Sequence, residues 1–375
     1  MKVLHLFSNA KWTGPAEPAL NLVVALRALG VEADFACSPD SGDSINKIVE
    51  TARDRGVEPI LEFRLDKHRH PIKNFLDSRA LKRYLDKHRY DLLHCHLDND
   101  HRIAVHASRA LNIPIVRSSY EGEGFSATPS FRRLLASASV VCEPSSLAMN
   151  NDAHALGLSH ARMRVIPVGV DTERFNPARE VPDGRKWLNV PADAFVVGIV
   201  ARMQRHRHFE DFFQGVKRLC DQHPNVHVIV VGRGTYQESV GKEPVRALGL
   251  EGRVHFSGYV DGENYVGMLK ALDVEVLMVP GSDGTCRAVR EALAMGKPAI
   301  VTTRGMLPEL VVDGETGHVF DGTPEGLFRA ISPLASDRAR LRQMGRAARG
   351  YAEAHYALSV QASAIAEVYR SVLPS

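Results

Sequence analysis

The run Gly281-Ser-Asp-Gly-Thr-Cys-Arg-Ala-Val-Arg-Glu291 places two carboxylates, Asp283 and Glu291, eight positions apart across a glycine turn and a helix start. It follows the mostly apolar stretch Val274–Val279 and precedes another, Ala299–Val301. A βαβ reading therefore sets both acids at the carboxyl end of parallel strands, where open α/β sheets bind ligands. The competing reading makes Asp283 a helix cap and Glu291 a solvated helical acid.

A second cluster is basic. The apolar run Val196–Ala201 ends in Arg202, and Arg207 follows in the loop Met203-Gln-Arg-His-Arg-His208. Two guanidiniums ahead of a helix N-terminus suit a diphosphate, because planar fixed charges grip phosphate oxygens. The alternative is a solvated basic loop. The next strand runs into Val231-Gly232-Arg233-Gly234, where glycines allow close approach of backbone to a ligand. A dinucleotide fingerprint would need a third glycine at the position held by Gln237, so that reading fails. Gly14-Pro-Ala-Glu17 offers another glycine turn opening a helix, with amides available for an anion. Neither a P-loop nor a nucleophile-elbow pattern occurs.

Histidines cluster at His94, His96 and His101, and again at His206 and His208. Strand alternation puts His94 and His96 on one face. No cysteine or carboxylate spacing completes a metal ligand set, so strand-end packing and hydrogen bonding are expected, and no metal. Trp12 reads equally as a loop anchor or an acceptor platform, and Cys286 as a small turn residue without a paired base.

These side chains need a scaffold. Apolar runs of five to eight residues alternate with amphipathic stretches twice along the 375 residues, which predicts two doubly wound Rossmann-like α/β domains facing across a cleft. Strands are expected near Val3–Phe7, Ala33–Cys37, Pro59–Phe63, Leu92–His96, Ile115–Ser118, Val140–Glu143 and Arg164–Pro167 in the first half. In the second they fall near Val196–Ala201, His227–Val231, Val254–Ser257, Val274–Val279, Ala299–Thr302 and His318–Phe320. Among the expected helices are Ala16–Leu29, Ser78–His88, Phe209–Asp221, Tyr265–Ala271 and Cys286–Met295. The turn-rich stretch 171–194 reads as a hinge between a domain at 1–170 and one at 195–355. A helix at 356–375 is expected to pack back on the first domain.

Composition removes other classes. With 44% hydrophobic and 24% charged residues the chain is ordinary globular protein, and a net charge of +3 gives no ground for a nucleic-acid partner. Five cysteines without CxxC spacing are expected as reduced thiols. No apolar run of signal or membrane-span length is present, so the protein is expected in the cytoplasm. Lys67-His-Arg-His70 and Arg132-Arg133 are basic patches that suit peripheral contact with anionic lipid at the inner face of a membrane, or plain solvation.

Taken in order, these pieces resemble the retaining GT-B glycosyltransferases of family 4, which use nucleotide-sugar donors. The resemblance covers Gly14-Pro-Ala-Glu17, Asp91-Leu-Leu-His-Cys-His96, Ile166-Pro-Val-Gly-Val-Asp-Thr-Glu-Arg-Phe175, Ala201-Arg-Met with Arg207, and Val231-Gly-Arg-Gly234. It continues through Arg253-Val-His-Phe-Ser-Gly258, the Asp283 to Glu291 segment with Gly296-Lys-Pro298, and Gly314-Glu-Thr-Gly317.

The resemblance implies that Glu291 hydrogen-bonds the donor ribose and that Asp283 stands beside the donor sugar. It implies that Arg202 and Arg207 hold the diphosphate, that Gly232 and Gly234 approach the donor, and that Gly258-Tyr259-Val260 lies against the base. Gly284, Thr285 and Cys286 bring backbone amides to the sugar or phosphate. On the acceptor side it implies Gly14, Glu17, His96 and Tyr120. The co-substrate is a nucleotide diphosphate sugar, with no further cofactor or metal required. The acceptor is a glycan or glycolipid hydroxyl, as in envelope or surface glycan synthesis.

Departures accompany the match. Asp283 replaces a glutamate and withdraws the carboxylate by roughly an ångström, which points to reduced activity or a different donor sugar. Tyr120 holds a place where many relatives have histidine. Arg207 stands where lysine is more usual, and Gly14-Pro15 and Gly305-Met306 replace paired glycines. Two further readings follow from the same residues: a sugar-nucleotide 2-epimerase on this architecture, and a non-catalytic nucleotide-sugar-binding protein.

Overall fold

The computed structural model describes residues 1–39, 46–281 and 285–373. The chain divides into two compact units. One is built from Met1–Gly169 together with the chain from Leu358 onward, and the other from residues 170–281 and Cys286–Ala357. Each unit carries one parallel sheet of six strands.

The first sheet contains β1 (Lys2–Phe7), β2 (Glu32–Cys37), β3 (Leu92–Cys95), β4 (Ile115–Ser118), β5 (Val140–Glu143) and β6 (Met163–Val165), in the order β2-β1-β3-β4-β5-β6. The second contains β7 (Phe195–Val200), β8 (Val226–Val231), β9 (Val254–Gly258), β10 (Val274–Leu277), β11 (Ala299–Thr302) and β12 (Gly317–Phe320), in the order β12-β11-β10-β7-β8-β9. Helices cover both faces of such sheets, so their strands read as continuous apolar runs. Val226–Val231 is wholly buried, as that rule demands. The expected two Rossmann-like domains are present.

Strand order reverses between β1 and β3 in the first sheet and between β7 and β10 in the second. Ligands of open α/β sheets bind outside the carboxyl ends of the strands at such switch points. The residues next to these two junctions are therefore the ones positioned to act.

One expected strand is absent. Pro59–Phe63 contributes only an isolated bridge between Ile60 and Ala36. The Ile60 amide donates to Phe35 O (2.8 Å) and Ile60 O accepts from Cys37 N (3.3 Å). Pro59 has no amide to extend the ladder in one direction, and Phe63 buries its ring in the core instead.

One helix also differs from the sequence reading. The helix expected at Ser78–His88 begins two turns earlier, at Pro71, with the His70 side chain accepting from Lys73 N at its start. The stretch expected as a hinge packs on the second unit. Arg185 within it donates to Asp273 Oδ2 (3.0 Å) and to the carbonyls of Ala271, Ala192 and Ala194. The last helix, Leu358–Val372, lies against Ala16–Ala28 in the first unit and buries Tyr369 completely.

Candidate active site

In the second unit the chain leaves β7 through Ala201-Arg202-Met203 and a short 3-10 turn, Arg205–Arg207, before the helix Phe209–Gln222. His208 at φ 55° makes the tight entry. Arg202 is exposed. Arg207 is only 5% exposed, and its Nη1 donates to Pro280 O (2.6 Å) and Val279 O (3.4 Å). Those carbonyls follow β10, so the Arg207 guanidinium spans the switch point between β7 and β10. The solvated-loop reading is thereby excluded for Arg207.

Gly232 and Gly234 serve this loop. A Cβ on Gly232, which sits at φ 131°, would lie 2.4 Å from Ala201 O, and one on Gly234 would lie 2.1 Å from Met203 O. Their bare backbones let the loop after β8 press on the loop carrying Arg202. The close approach at both positions is to protein backbone.

Gly258 ends β9 at φ 69°, and its carbonyl accepts from Gly232 N (2.9 Å). Beyond it Tyr259 is 62% exposed, with the Arg233 guanidinium 5.3 Å from its ring centroid. An exposed ring backed by a cation is a platform for a second flat group. Val260 packs against the core below.

Glu291 lies in the helix Arg287–Ala294 and is 3% exposed, so it is not a solvated helical acid. Tyr265 donates to its Oε2 at 2.5 Å, and Arg287 Nε lies 3.0 Å from Oε1. Cys286, the residue before this helix, is buried at φ 49°, a left-handed conformation costing about 1 kcal/mol for a non-glycine residue. Thr285 is buried as well. Asp283 and Gly284 lie outside the described residues.

A residue that the sequence reading passed over completes this region. Glu275 is fully buried on β10 and accepts from Val200 N (3.0 Å), tying β10 to the strand end that carries Arg202. Burial, with a smaller contribution from the Glu291 charge, pushes its carboxyl up to about 8. Its signal was a single acid inside the apolar run Val274–Leu277.

Glu275 makes the stability of the second unit pH-dependent. The folded unit keeps the proton to about pH 8, whereas the unfolded chain releases it in the ordinary carboxylate range, so stability falls as pH rises between these values. Lys297, held down to about 8 by burial, works only above that window. Glu275→Gln is therefore expected to flatten the decline in melting temperature between about pH 5 and 8. Parallel profiles for variant and wild type would contradict it.

In the first unit, His5 on β1 and His94 on β3 stand opposite each other across the other switch point. His94 and His96 share one face, with rings 4.5 Å apart and nearly parallel. Their third neighbour is His5 and not the expected His101, which turns instead toward Ser137 Oγ (3.2 Å). A hydrogen-bonded chain runs from Ser118 Oγ to His94 (2.8 Å), on to Tyr369 OH (2.5 Å) and to His5 (3.3 Å). It continues to His96 (3.0 Å) and ends at Tyr120 OH (2.7 Å). Burial holds these imidazoles neutral, with His5 brought down to about 3.

His96 is wholly buried, and its two ring nitrogens meet His5 and the Tyr120 hydroxyl. Gly14 and Glu17 lie at the start of Ala16–Ala28, where Arg55 Nη2 approaches Glu17 Oε1 at 3.4 Å. His206 is exposed, and His208 pairs with Asp211 (2.9 Å).

The model of the "Glycosyltransferase Family 4" domain matches residues 14–174, and that of "Glycosyl transferases group 1" matches residues 182–351. A D-inositol 3-phosphate glycosyltransferase of Corynebacterium urealyticum is 28% identical over 309 residues, covering 76% of this chain and 72% of its own. A lipopolysaccharide core biosynthesis mannosyltransferase of Rhizobium leguminosarum is 31% identical over 215 residues, covering 56% of this chain and 60% of its own. In fold, the Anabaena protein HepE, solved in complex with UDP, superposes with a TM-score of 0.78 at 21% identity, covering 99% of this chain and all of that one. The epimerase and non-catalytic readings are not favoured by these matches. With one sheet and its strand-end loops matching the family's first domain and the other its second, the chain belongs to the group 1 glycosyltransferases of GT-B fold.

Proposed function

We propose that the chain moves a sugar from a nucleoside diphosphate to an acceptor hydroxyl with retention at the anomeric carbon, and that its second unit holds the donor. The carrying observation is the Arg207 guanidinium fixed across the β7/β10 switch point. As the bond to phosphate breaks, negative charge grows on the diphosphate, and a cation already in place binds that state better than the ground state. Arg202 is its exposed partner, Glu291 takes the ribose hydroxyls, and Tyr259 with Val260 meets the base. Asp283 is assigned to the donor sugar, and the amides of Gly284, Thr285 and Cys286 to the sugar or phosphate at the start of the helix Arg287–Ala294.

Gly14, Glu17 and Tyr120 are assigned to the acceptor, with His96 positioning Tyr120. The mannosyltransferase relative supports an envelope glycan or glycolipid as that acceptor. The UDP complex of the Anabaena protein supports a nucleotide donor. Among the described residues no helix is long and apolar enough to cross a membrane, and Cys37, Cys95, Cys142 and Cys220 form no disulfide. Both fit a cytoplasmic enzyme working peripherally at a membrane. The two arginines take the part that a divalent cation plays on a diphosphate elsewhere, so turnover is proposed to be metal-independent.

Slow donor hydrolysis without acceptor tests both points. Proton NMR taken before mutarotation should show the released sugar in the donor's own anomeric form, at the same rate with or without EDTA. The opposite anomer would overturn retention, and loss of turnover in EDTA would overturn metal independence.

A further inference from the structure

The helix Pro71–His88 is inverted at its start. Its inward side there carries Asp77 and Ser78, both buried, while Ile72, Phe75 and Leu76 are 68%, 53% and 48% exposed. With Arg79 they occupy positions i, i+3, i+4 and i+7, a single outward face. The inward polar residues are satisfied: Asp77 accepts from Arg64 N and Leu65 N, and Ser78 donates to Ile103 O (2.9 Å). About half of Phe75 and Leu76 and two thirds of Ile72 remain in water, an exposed apolar face that folding alone does not explain.

The surroundings are basic. Lys67, His68, Arg69 and His70 precede the helix, all exposed. Beside it opens a groove of about 600 Å3 lined by Arg69, Arg102, Arg109 and Arg133, with Val105 and Leu134 in its floor and no acid in its wall. Arg102 donates to Ser130 Oγ (3.3 Å). Arg69, Arg109 and Arg133 have no carboxylate partner among the described residues.

We infer that this face of the first unit docks on an anionic bilayer: Ile72, Phe75 and Leu76 enter the interface while the four arginines take headgroup phosphates. The inference rests on the reading that the acceptor is membrane-borne, and it names the surface and the lipid charge involved. Apolar groups rimmed by cations fit a bilayer boundary, where burial and attraction to anionic lipid add. A soluble polyanion would use the arginines and leave the three apolar side chains in water.

The test is sedimentation of the full chain with vesicles of phosphatidylglycerol and phosphatidylcholine, against phosphatidylcholine alone, single-stranded DNA and inorganic phosphate. Binding should require phosphatidylglycerol and weaken with salt. Each arginine near an anionic surface is worth about fivefold in partitioning, so Arg109→Gln with Arg133→Gln should weaken binding roughly thirtyfold. Phe75→Ser with Leu76→Ser should weaken it at least about tenfold, since insertion of both side chains is lost. These four positions are exposed, and unchanged circular dichroism melting confirms that the variants fold. Equal binding to both vesicle types, no vesicle binding at low salt, or DNA binding that the apolar substitutions leave unchanged would overturn the inference. Calorimetric nucleotide affinity, measured on the same variants, should match wild type. Its absence from wild type would count against the donor site and not against this surface.

Discussion

Arg207→Ala should lower turnover ten- to a thousandfold while leaving the fold intact. The expected size follows from about 1.4 to 4 kcal/mol for one preorganised electrostatic donor acting on developing charge. Its partners predict the selectivity of the effect. Arg207 is held by the carbonyls of Val279 and Pro280, so its place is fixed before any ligand arrives and no reorganisation is needed as charge develops. Arg207→Lys keeps the charge but loses the planar fork that suits phosphate oxygens, and should recover only part of the rate. The turnover number under saturating donor is the quantity to measure. A value for Arg207→Ala equal to wild type would remove this residue from the mechanism.

Glu291→Ala should weaken nucleotide binding about ten- to a hundredfold, the range expected when hydrogen bonds to a charged acceptor are lost. The same change strands the part-buried Tyr265 hydroxyl, whose proton the carboxylate accepts, at a cost of about 1 to 3 kcal/mol in stability. Glu291→Gln separates the two effects. It keeps an oxygen for Tyr265 and gives up only the charge, so its melting temperature should lie closer to wild type while its affinity stays reduced. Calorimetry giving wild-type affinity for both variants would refute a ribose role.

The apolar runs that became β7, β8 and β11 were legible because a strand covered on both faces leaves little room for polar residues. The Arg202–Arg207 loop and the Glu291 helix stood out as candidates for a related reason: charge appears there where the apolar rhythm stops. Glu275 was missed because a lone acid inside such a run breaks no pattern, and only the pairing of β10 with β7 shows that it meets Val200 N. The histidine chain was hidden in the same way. His5 and His94 are far apart in sequence, and their meeting is a matter of register between β1 and β3.

The first two turns of Pro71–His88 failed for the opposite reason. Their apolar side chains point outward, so a rule that sends apolar residues to the core gives no helix face there. Gly232 and Gly234 were marked as positions where backbone could approach a ligand, and only the structure shows how near they lie to the backbone at Ala201 and Met203.

Hydrogen exchange of the full chain with and without the nucleoside diphosphate that a thermal-shift screen selects tests the donor site most directly. The account predicts slowed exchange at the loop 201–208, at 258–260 and over the start of the helix Arg287–Ala294. Slowed exchange confined to the first unit, or a tightly bound nucleotide that leaves these three segments unchanged, would contradict it.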